Sequence, residues 1–342
     1  MASTTSSTGT TTLKPVIRDL IDIRRAAQYS IQVLGHQEPL GEGAFGRVYR
    51  GQALIDSCVH DVVIKHARYS KDSPKSPRDK ITRLLREILS WRHLHHPNIA
   101  SFHGLDFSSA NVDLIQSIDL SNQDPSRQLR LPGLISPYIE YAVLEYVALF
   151  PHERFNCVKG LAKGLTYIHQ NLIVHGDIRP ENVRTTPQGV LKLTDFGLSR
   201  LQDCRGFTTE AYTNLPPRFT APEILAPANS VPTKPTFKSD IYSFSMCMLQ
   251  ILSHPDAQTT SEPFNHLSTT HGSGSVIIYA CVKKSRPLRA NYPPVLTDAY
   301  WNLMSRCWQH EESERPNMHS VLEGLLGGVK CTNATGPCWL WP

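Results

Sequence analysis

One stretch constrains what this chain can fold into more than any other: residues 175–182 are HGDIRPEN, and TDFG follows at 194–197. Between them lie a short apolar run, a Pro-Gln-Gly turn and an alternating run, which together predict a β-hairpin. Such a hairpin would hold Asp177, Asn182 and Asp195 near one another. A carboxylate and an amide oxygen suit Mg²⁺ that carries phosphates, and the other carboxylate can accept a proton from a hydroxyl nucleophile.

Two further segments carry groups that suit a bound phosphate. Residues 40–49 (LGEGAFGRVY) contain a G-x-G-x-x-G pattern, whose glycines let the backbone approach phosphate oxygens closely. A dinucleotide-binding fold uses the same letters but needs a helix directly afterwards, whereas residues 48–54 (VYRGQAL) indicate a strand. A β-branched strand then ends in Lys65, and a predicted helix at 80–91 carries Glu87.

Together these motifs resemble the eukaryotic protein kinase domain over about residues 36–327. With Cys307-Trp308, they look most like the tyrosine-kinase-like serine/threonine kinases. The resemblance implies an α+β fold with two lobes: a small β-rich N-lobe at 36–138 and a larger α-helical C-lobe at 139–328. The polar segment at 107–130 is expected to be a surface insertion in the N-lobe.

The resemblance also implies which side chains transfer phosphate from ATP to hydroxyl groups of protein substrates. Asp177 would position and deprotonate the acceptor hydroxyl, and Arg179 would carry positive charge to the γ-phosphate, where the family usually has Lys. Lys65, oriented by an ion pair with Glu87, would hold the α- and β-phosphates. The other expected contacts are Mg²⁺ binding by Asn182 and Asp195, and ATP binding by Leu40, Gly41, Gly43, Gly46, Val48, Val63, Lys65, Ser136, Pro137 and Ile139.

The adenine of ATP is expected at residues 134–140 (LISPYIE), which resemble the segment that joins the two lobes. There the Pro137 carbonyl would accept a hydrogen bond from adenine, and the Ile139 N–H would donate one. Because proline has no N–H, Pro137 should also interrupt the pairing of its strand. Ser136 would then guard the back of the adenine pocket as a small hydroxyl; alternatively, it caps a strand end.

Other positions are expected to support the site. By resemblance, Glu223 pairs with Arg315, and Asp240 anchors the backbone of the 175–182 loop. Gly176 stands where many kinases have an Arg that senses a phosphorylated activation loop. Phosphate on the loop at 208–213 is therefore expected to affect activity little.

The sequence leaves alternatives open. Pro180-Glu181 favours Ser/Thr acceptors, whereas residues 215–219 (LPPRF), with Pro216, look more like the tyrosine-kinase form, so a tyrosine or dual-specificity kinase is the alternative. Arg179 and Val63 leave room for a pseudokinase that serves as an ATP-binding scaffold. A small-molecule phosphotransferase is disfavoured by the Ala-Pro-Glu at 221–223 and the long loop before it.

Composition limits the kinds of partner and the cellular location to be expected. The net charge of +5 comes from dispersed Lys and Arg, so it gives no reason to expect nucleic acid binding. The eight cysteines form no C-x-x-C pair, the N-terminus lacks the pattern of a secretory signal, and no apolar run is long enough to span a membrane. We expect a cytoplasmic or nuclear protein with reduced thiols, whose oligomeric state the sequence does not define.

The two ends are expected to differ from the domain. Residues 1–35 are predicted to comprise a disordered N-terminus, rich in Ser and Thr over 1–13, and a short amphipathic helix at 14–34. That helix would pack on the main domain or, alternatively, bind a partner. Residues 329–342 form a C-terminal tail without a recognisable partner pattern.

Overall fold

The computed structural model describes residues 31–43, 46–67, 77–108, 110, 130–201, 215–225, 233–254, 261–267, 276, 278–293 and 296–327. Its chain divides into two compact units, one of Met1–His95 with Ala100–Tyr138 and the other of His96–Ile99 with Ile139–Pro342. The predicted tail at 329–342, residues 1–30, most of the predicted insertion at 107–130 and the loop at 208–213 lie outside the described residues. Among the helices of the described residues, none combines the length and apolar character needed to cross a membrane.

The first unit consists of an antiparallel sheet and one helix. Its elements are β1 (Gln32–Gly43), β2 (Gly46–Ile55), β3 (Cys58–Ala67), α1 (Pro77–Trp91), β4 (Gly104–Asp106) and β5 (Gly133–Pro137). The strands run in the order β1-β2-β3-β5-β4. Ala53, Val62, Ile64 and Ile135 are fully buried and form the core of this sheet. A strand, β2, therefore follows the glycine-rich segment, as its sequence predicts.

The start of β1 corrects two predictions. Residues 32–34 belong to this strand and not to a helix at 14–34, and the unit's sheet begins before the predicted boundary at 36. The reason is the two-residue spacing of Ile31 and Val33, which both pack against the buried core of the sheet. Val33 also lies opposite Ala53 of β2. A period of two predicts a strand, and here it prevails over the approximate helical spacing.

The second unit is mainly helical. Its helices are α2 (Val143–Leu149), α3 (Arg154–Gln170), α4 (Pro222–Leu225), α5 (Phe237–Ser253), α6 (Asp298–Cys307) and α7 (Met318–Leu326). Its strands are β6 (Tyr141–Ala142), β7 (Ile173–Val174), β8 (Val183–Thr185), β9 (Leu191–Leu193) and β10 (Arg200–Leu201), and single helical turns lie at Pro151–Glu153, Pro180–Asn182, Ile278–Val282, Arg289–Asn291 and Glu312–Glu314. β6, β8 and β9 form one small sheet, and β7 and β10 form another.

Helix α3 contacts α5, α7 and β9 at the centre of this unit. The predicted apolar face of α3, Leu161, Leu165 and Ile168, is fully buried. Helix α5 is buried along almost its whole length, as its apolar sequence predicts. The Thr236 hydroxyl begins α5 by accepting a hydrogen bond from the Ser239 N–H at 3.1 Å.

Residues His96–Ile99 belong with the second unit, although the predicted N-lobe of 36–138 includes them. The Asn98 side chain donates to the Leu191 carbonyl at 2.9 Å, and the Leu193 N–H donates to the Asn98 carbonyl at 2.9 Å. A Cβ at Gly164 of α3 would lie 2.8 Å from that same carbonyl, so glycine permits the close approach. These contacts join residues far apart in sequence, which is why local patterns place the boundary elsewhere.

Candidate active site

In the first unit, the structure brings Lys65 and Glu87 together as predicted. Lys65 lies on β3 opposite Val48 of β2, and its Nζ is 2.9 Å from Glu87 Oε1 of α1. The two side chains are only 14% and 7% exposed, so the pair is shielded from solvent. Glu87 is held inward because Leu84 and Ile88, on the same face of α1, are buried. This ammonium therefore has a fixed position and a compensating charge.

The described residues of the glycine-rich segment lie at the end of β1 and the start of β2. Gly41 pairs with Val48, and Gly43 pairs with Gly46. A Cβ at Gly41 would meet no atom within 4 Å, so the space beside this backbone is open, and the neighbouring Leu40 is exposed. The hairpin thus offers accessible backbone, as a phosphate-binding segment requires.

The β3–β5 pairing places the predicted adenine-contacting residues and corrects one expectation. Val63 lies opposite Ser136, and both side chains are partly buried. Pro137 does not interrupt the pairing: it lies opposite Val62, and the N–H of the next residue, Tyr138, donates to the Asp61 carbonyl at 3.0 Å. Successive N–H groups of a strand point to opposite sides, so the N–H that proline lacks is not one that would face β3.

In the second unit, Asp240 of α5 anchors the loop that carries Asp177, as predicted. Its carboxylate is 1% exposed. Oδ2 accepts a hydrogen bond from the His175 N–H, and Oδ1 accepts one from the Gly176 N–H, each at 2.8 Å. His169 Nε2 donates to Oδ2 at 3.0 Å. A single buried carboxylate therefore fixes the N–H groups of the two residues that precede Asp177.

Asp177 and Asn182 form one hydrogen-bonded unit. The Asn182 amide nitrogen donates to the Asp177 backbone carbonyl and to Asp177 Oδ2, both at 2.8 Å. The Thr194 N–H and hydroxyl donate to the Asn182 carbonyl at 2.9 and 3.0 Å, which ties this unit to the residue before Asp195. The β8–β9 hairpin between them pairs Val183 with Leu193, as the sequence predicts.

Burial raises the pKa of the Asp177 carboxyl above its ordinary value, and the nearby Asp195 carboxylate adds to the rise. The Arg179 guanidinium opposes both effects, with its Nε 3.4 Å from Asp177 Oδ1. The hydrogen bond from Asn182 lowers the pKa as well. A buried carboxylate with a raised pKa is a stronger base than one in water, as proton abstraction from a hydroxyl requires.

Asp195 is held in an uncommon backbone conformation. Its φ is +60°, in the left-handed region, and its Oδ1 accepts a hydrogen bond from the Gly197 N–H at 3.0 Å. The next side chain, Phe196, is fully buried with its ring edge-on to the His175 ring, at 5.2 Å between centroids. These contacts stabilise a conformation that few residues other than glycine adopt readily.

Gly176, where the resemblance leads us to expect Arg, has a backbone conformation that favours glycine. Its φ is +81°, and a Cβ there would lie 3.1 Å from the Leu198 carbonyl oxygen and 3.4 Å from Pro235 Cγ. A side chain would therefore be both strained and crowded. The backbone conformation and the close packing of this turn therefore both favour glycine at position 176.

The predicted pair of Glu223 and Arg315 is present and two-pronged, with N–O distances of 2.7 and 2.8 Å. The Arg315 guanidinium is fully buried and also donates to the carbonyls of Gln309, Lys238 and His310. The pair lies next to a pocket of mixed character. Asp177, Thr220, Ser239, Asp240 and Ser243 line it together with apolar side chains such as Ile178, Leu215 and Phe219.

Three supporting side chains escape sequence reasoning. His169 and Thr194, which hold Asp240 and Asn182, carry no motif signal of their own. Arg184 of β8 donates from Nε and from a terminal nitrogen to the Ile139 carbonyl, at 3.1 and 2.9 Å, and from that terminal nitrogen to the Glu140 carbonyl at 2.7 Å. A charged residue in the short strand Val183–Thr185, two places after Asn182, is the signal that could reveal it.

Comparison with known proteins agrees with this geometry. The family model "Protein tyrosine and serine/threonine kinase" matches residues 34–325. The chain is 24% identical to the serine/threonine-protein kinase CTR1 of Arabidopsis thaliana over 87% of its own length and 32% of the relative's. It is 28% identical to the human ephrin type-A receptor 1, over 84% and 26% of the two lengths.

A third relative is the dual specificity protein kinase shkD of Dictyostelium discoideum, 27% identical over 83% of this chain and 33% of that protein. The chain thus spans between about a quarter and a third of the length of these curated relatives. The family match nevertheless covers most of the chain, including every site residue described above. The chain belongs to the protein tyrosine and serine/threonine kinase family.

Proposed function

We propose that this chain is an active protein kinase that transfers the γ-phosphate of ATP to serine or threonine hydroxyls of intracellular proteins. The observation that carries the proposal is the Asp177–Asn182 unit, in which a base and an amide hold each other in place. The shielded Lys65–Glu87 pair of the first unit supports it. Both features are what an enzyme that positions groups for phosphoryl transfer needs.

The residues present fit a bound Mg²⁺. Because the Asn182 amide nitrogen donates twice to Asp177, the orientation of the amide is fixed, and its oxygen is the atom left for a cation. Asp195 supplies a carboxylate, so the donor set consists of the hard oxygens that Mg²⁺ prefers. When bound, Mg²⁺ would neutralise phosphate charge; Asn182 and Asp195 are the residues that would hold it.

The roles of the other residues follow from their surroundings. Asp177, with its raised pKa, orients the acceptor hydroxyl and takes its proton. Arg179, whose Nε lies beside Asp177, places a delocalised positive charge where transferred phosphate charge develops. Lys65 is held by Glu87 in position to bind phosphate oxygens.

The choice of serine or threonine rests on the sequence of the loop that carries Asp177. Pro180 and Glu181 form the single helical turn that ends at Asn182, and this Pro-Glu pair is typical of serine/threonine kinases. The relatives include serine/threonine, tyrosine and dual specificity kinases and so favour neither acceptor. Tyrosine is the competing acceptor, because Pro216 stands where serine/threonine kinases generally have Thr.

The test is transfer of labelled phosphate from Mg·ATP to a peptide library, with phosphoamino-acid analysis of the products. We expect phosphoserine and phosphothreonine from the wild type and none from Asp195→Ala, which lacks a metal ligand. The matched control Asp298→Ala, an exposed position on α6, should retain wild-type activity. Equal turnover by Asp195→Ala would refute the mechanism, phosphotyrosine alone would reverse the acceptor class, and ATP binding without transfer would indicate a scaffold.

A further inference from the structure

The side chain of Arg184 reaches the residue on which adenine recognition is expected to depend. Ile139 is 7% exposed, and its carbonyl accepts two hydrogen bonds from the Arg184 guanidinium, at 3.1 and 2.9 Å. The Glu140 carbonyl accepts a third at 2.7 Å. A carbonyl oxygen has two lone pairs, so this guanidinium fills the accepting capacity of Ile139.

Arg184 makes more hydrogen bonds than its place in the β6–β8 strand pair requires. Arg184 already lies opposite Ala142 in the β6–β8 pair. Its planar guanidinium then extends past the start of β6 and directs two N–H donors at one carbonyl. A lysine ammonium would do this less well because it is a point charge. The contact therefore fixes both the position and the hydrogen-bonding state of the Ile139 carbonyl.

We propose that Arg184 is a specificity-determining residue of the nucleotide site. Because its guanidinium occupies the Ile139 carbonyl, the Ile139 N–H is the group left to form a hydrogen bond with a ligand. Ligands that must also donate to this carbonyl are excluded. This inference rests on the proposed ATP binding. ATP is not excluded, because adenine is expected to form hydrogen bonds with the Pro137 carbonyl and the Ile139 N–H. A base or inhibitor that has a ring acceptor beside an N–H donor needs both the N–H and the carbonyl of Ile139. Its N–H donor then faces the Arg184 guanidinium, which already occupies that carbonyl.

The experiment compares the binding of three ligands to the full chain by calorimetry: ATP, a 2-anilinopyrimidine and the matching 2-phenoxypyrimidine. The anilino compound has the ring acceptor beside an N–H donor, and the phenoxy compound replaces that N–H by oxygen. Arg184→Met keeps a long side chain without its donors. We expect it to bind the anilino compound about tenfold more tightly than the wild type does, the value of roughly one hydrogen bond. Binding of ATP and of the phenoxy compound should change less than threefold.

Arg306→Met, at an exposed position on α6, is the matched control and should behave as the wild type. If Arg184→Met does not fold, Arg184→Lys provides the test, with a smaller gain in the same direction. Equal anilino affinities in wild type and variant, with ATP bound by both, would overturn the role of Arg184 and leave the proposed function intact. Loss of ATP binding in the variant alone would also overturn it, and would make Arg184 a support of the chain. Failure of the wild type to bind ATP would refute the proposed function itself.

Discussion

Replacing Asp240 by Asn tests how much one buried carboxylate contributes to the loop that carries the expected base. The substitution preserves shape but leaves one oxygen where there were two. If the oxygen stays at the Oδ2 position, it still accepts from the His175 N–H and from His169 Nε2. The new amide nitrogen then faces the Gly176 N–H, and two donors oppose each other.

The cost follows from these three hydrogen bonds. A buried N–H without an acceptor costs about 1–3 kcal/mol, and each of the two remaining bonds loses about 1 kcal/mol because its acceptor is no longer charged. The sum is about 3–5 kcal/mol, a large part of the 5–15 kcal/mol by which domains are typically stable. Because the freed N–H belongs to Gly176, the residue before Asp177, a shift of about 1 Å there would lower kcat by roughly 100-fold.

Urea denaturation at a constant m-value measures the first quantity, and kcat with KM for ATP measures the second. We expect Asp240→Asn to lose stability and kcat while KM for ATP stays near the wild-type value, since Lys65 is in the other unit. Asp298→Asn, an exposed residue of the same type, is the control; it should leave kcat unchanged and lower the free energy of unfolding by at most about 1 kcal/mol, because Asp298 lies in the first turn of α6. A wild-type urea midpoint, or an unchanged kcat in the folded variant, would refute this account of the loop.

Three further substitutions test other parts of the structure. Arg315→Lys should lower the free energy of unfolding by about 3–5 kcal/mol in urea titrations, because it leaves Glu223 and buried carbonyls without their donors. Glu87→Gln should lower kcat/KM for ATP by at least about tenfold in steady-state assays, because Lys65 loses its charged partner. Because the folded pKa of Asp177 is raised, that group stabilises the fold fully below its unfolded pKa of about 3.9, and this contribution is lost as pH rises through the raised pKa. In urea titrations at several pH values, Asp177→Asn should therefore gain stability relative to wild type from about pH 4 upward.

Each of these results has a contrary outcome. A loss below about 1 kcal/mol for Arg315→Lys would mean that the pair is not a buried anchor. Unchanged kcat/KM for Glu87→Gln would mean that Lys65 is positioned by other contacts. A stability difference for Asp177→Asn that does not vary with pH would show that burial has little effect on the ionisation of this carboxyl.

Much of the candidate site could be predicted because its residues belong to short motifs. Asp177 and Asn182 are five residues apart, and the hairpin to Asp195 is marked by its own turn and apolar pattern. The partners Glu87 and Asp240 are distant in sequence, but each is an acidic residue of a helix with buried apolar side chains. Motif and periodicity together therefore predict these contacts.

What could not be predicted depends on direction or on distant backbone. The sequence gives no sign of which carbonyls Arg184 reaches, because a strand residue can point to either side of its sheet. Likewise, only the register between β3 and β5 shows that the N–H missing from Pro137 would have pointed away from β3. The attachment of residues His96–Ile99 to the second unit depends on Asn98 meeting β9, nearly a hundred residues later.

The packed turn at Gly176 sets a cost for any substitution there. An arginine at this position would have a φ of +81°, which costs about 1–2 kcal/mol in L-residues. Its Cβ would also push on the Leu198 carbonyl, one residue beyond the TDFG motif. Any residue other than glycine would thus begin with a deficit in stability, which contacts of its side chain would have to offset. This position therefore tolerates sequence change less well than an ordinary loop position does.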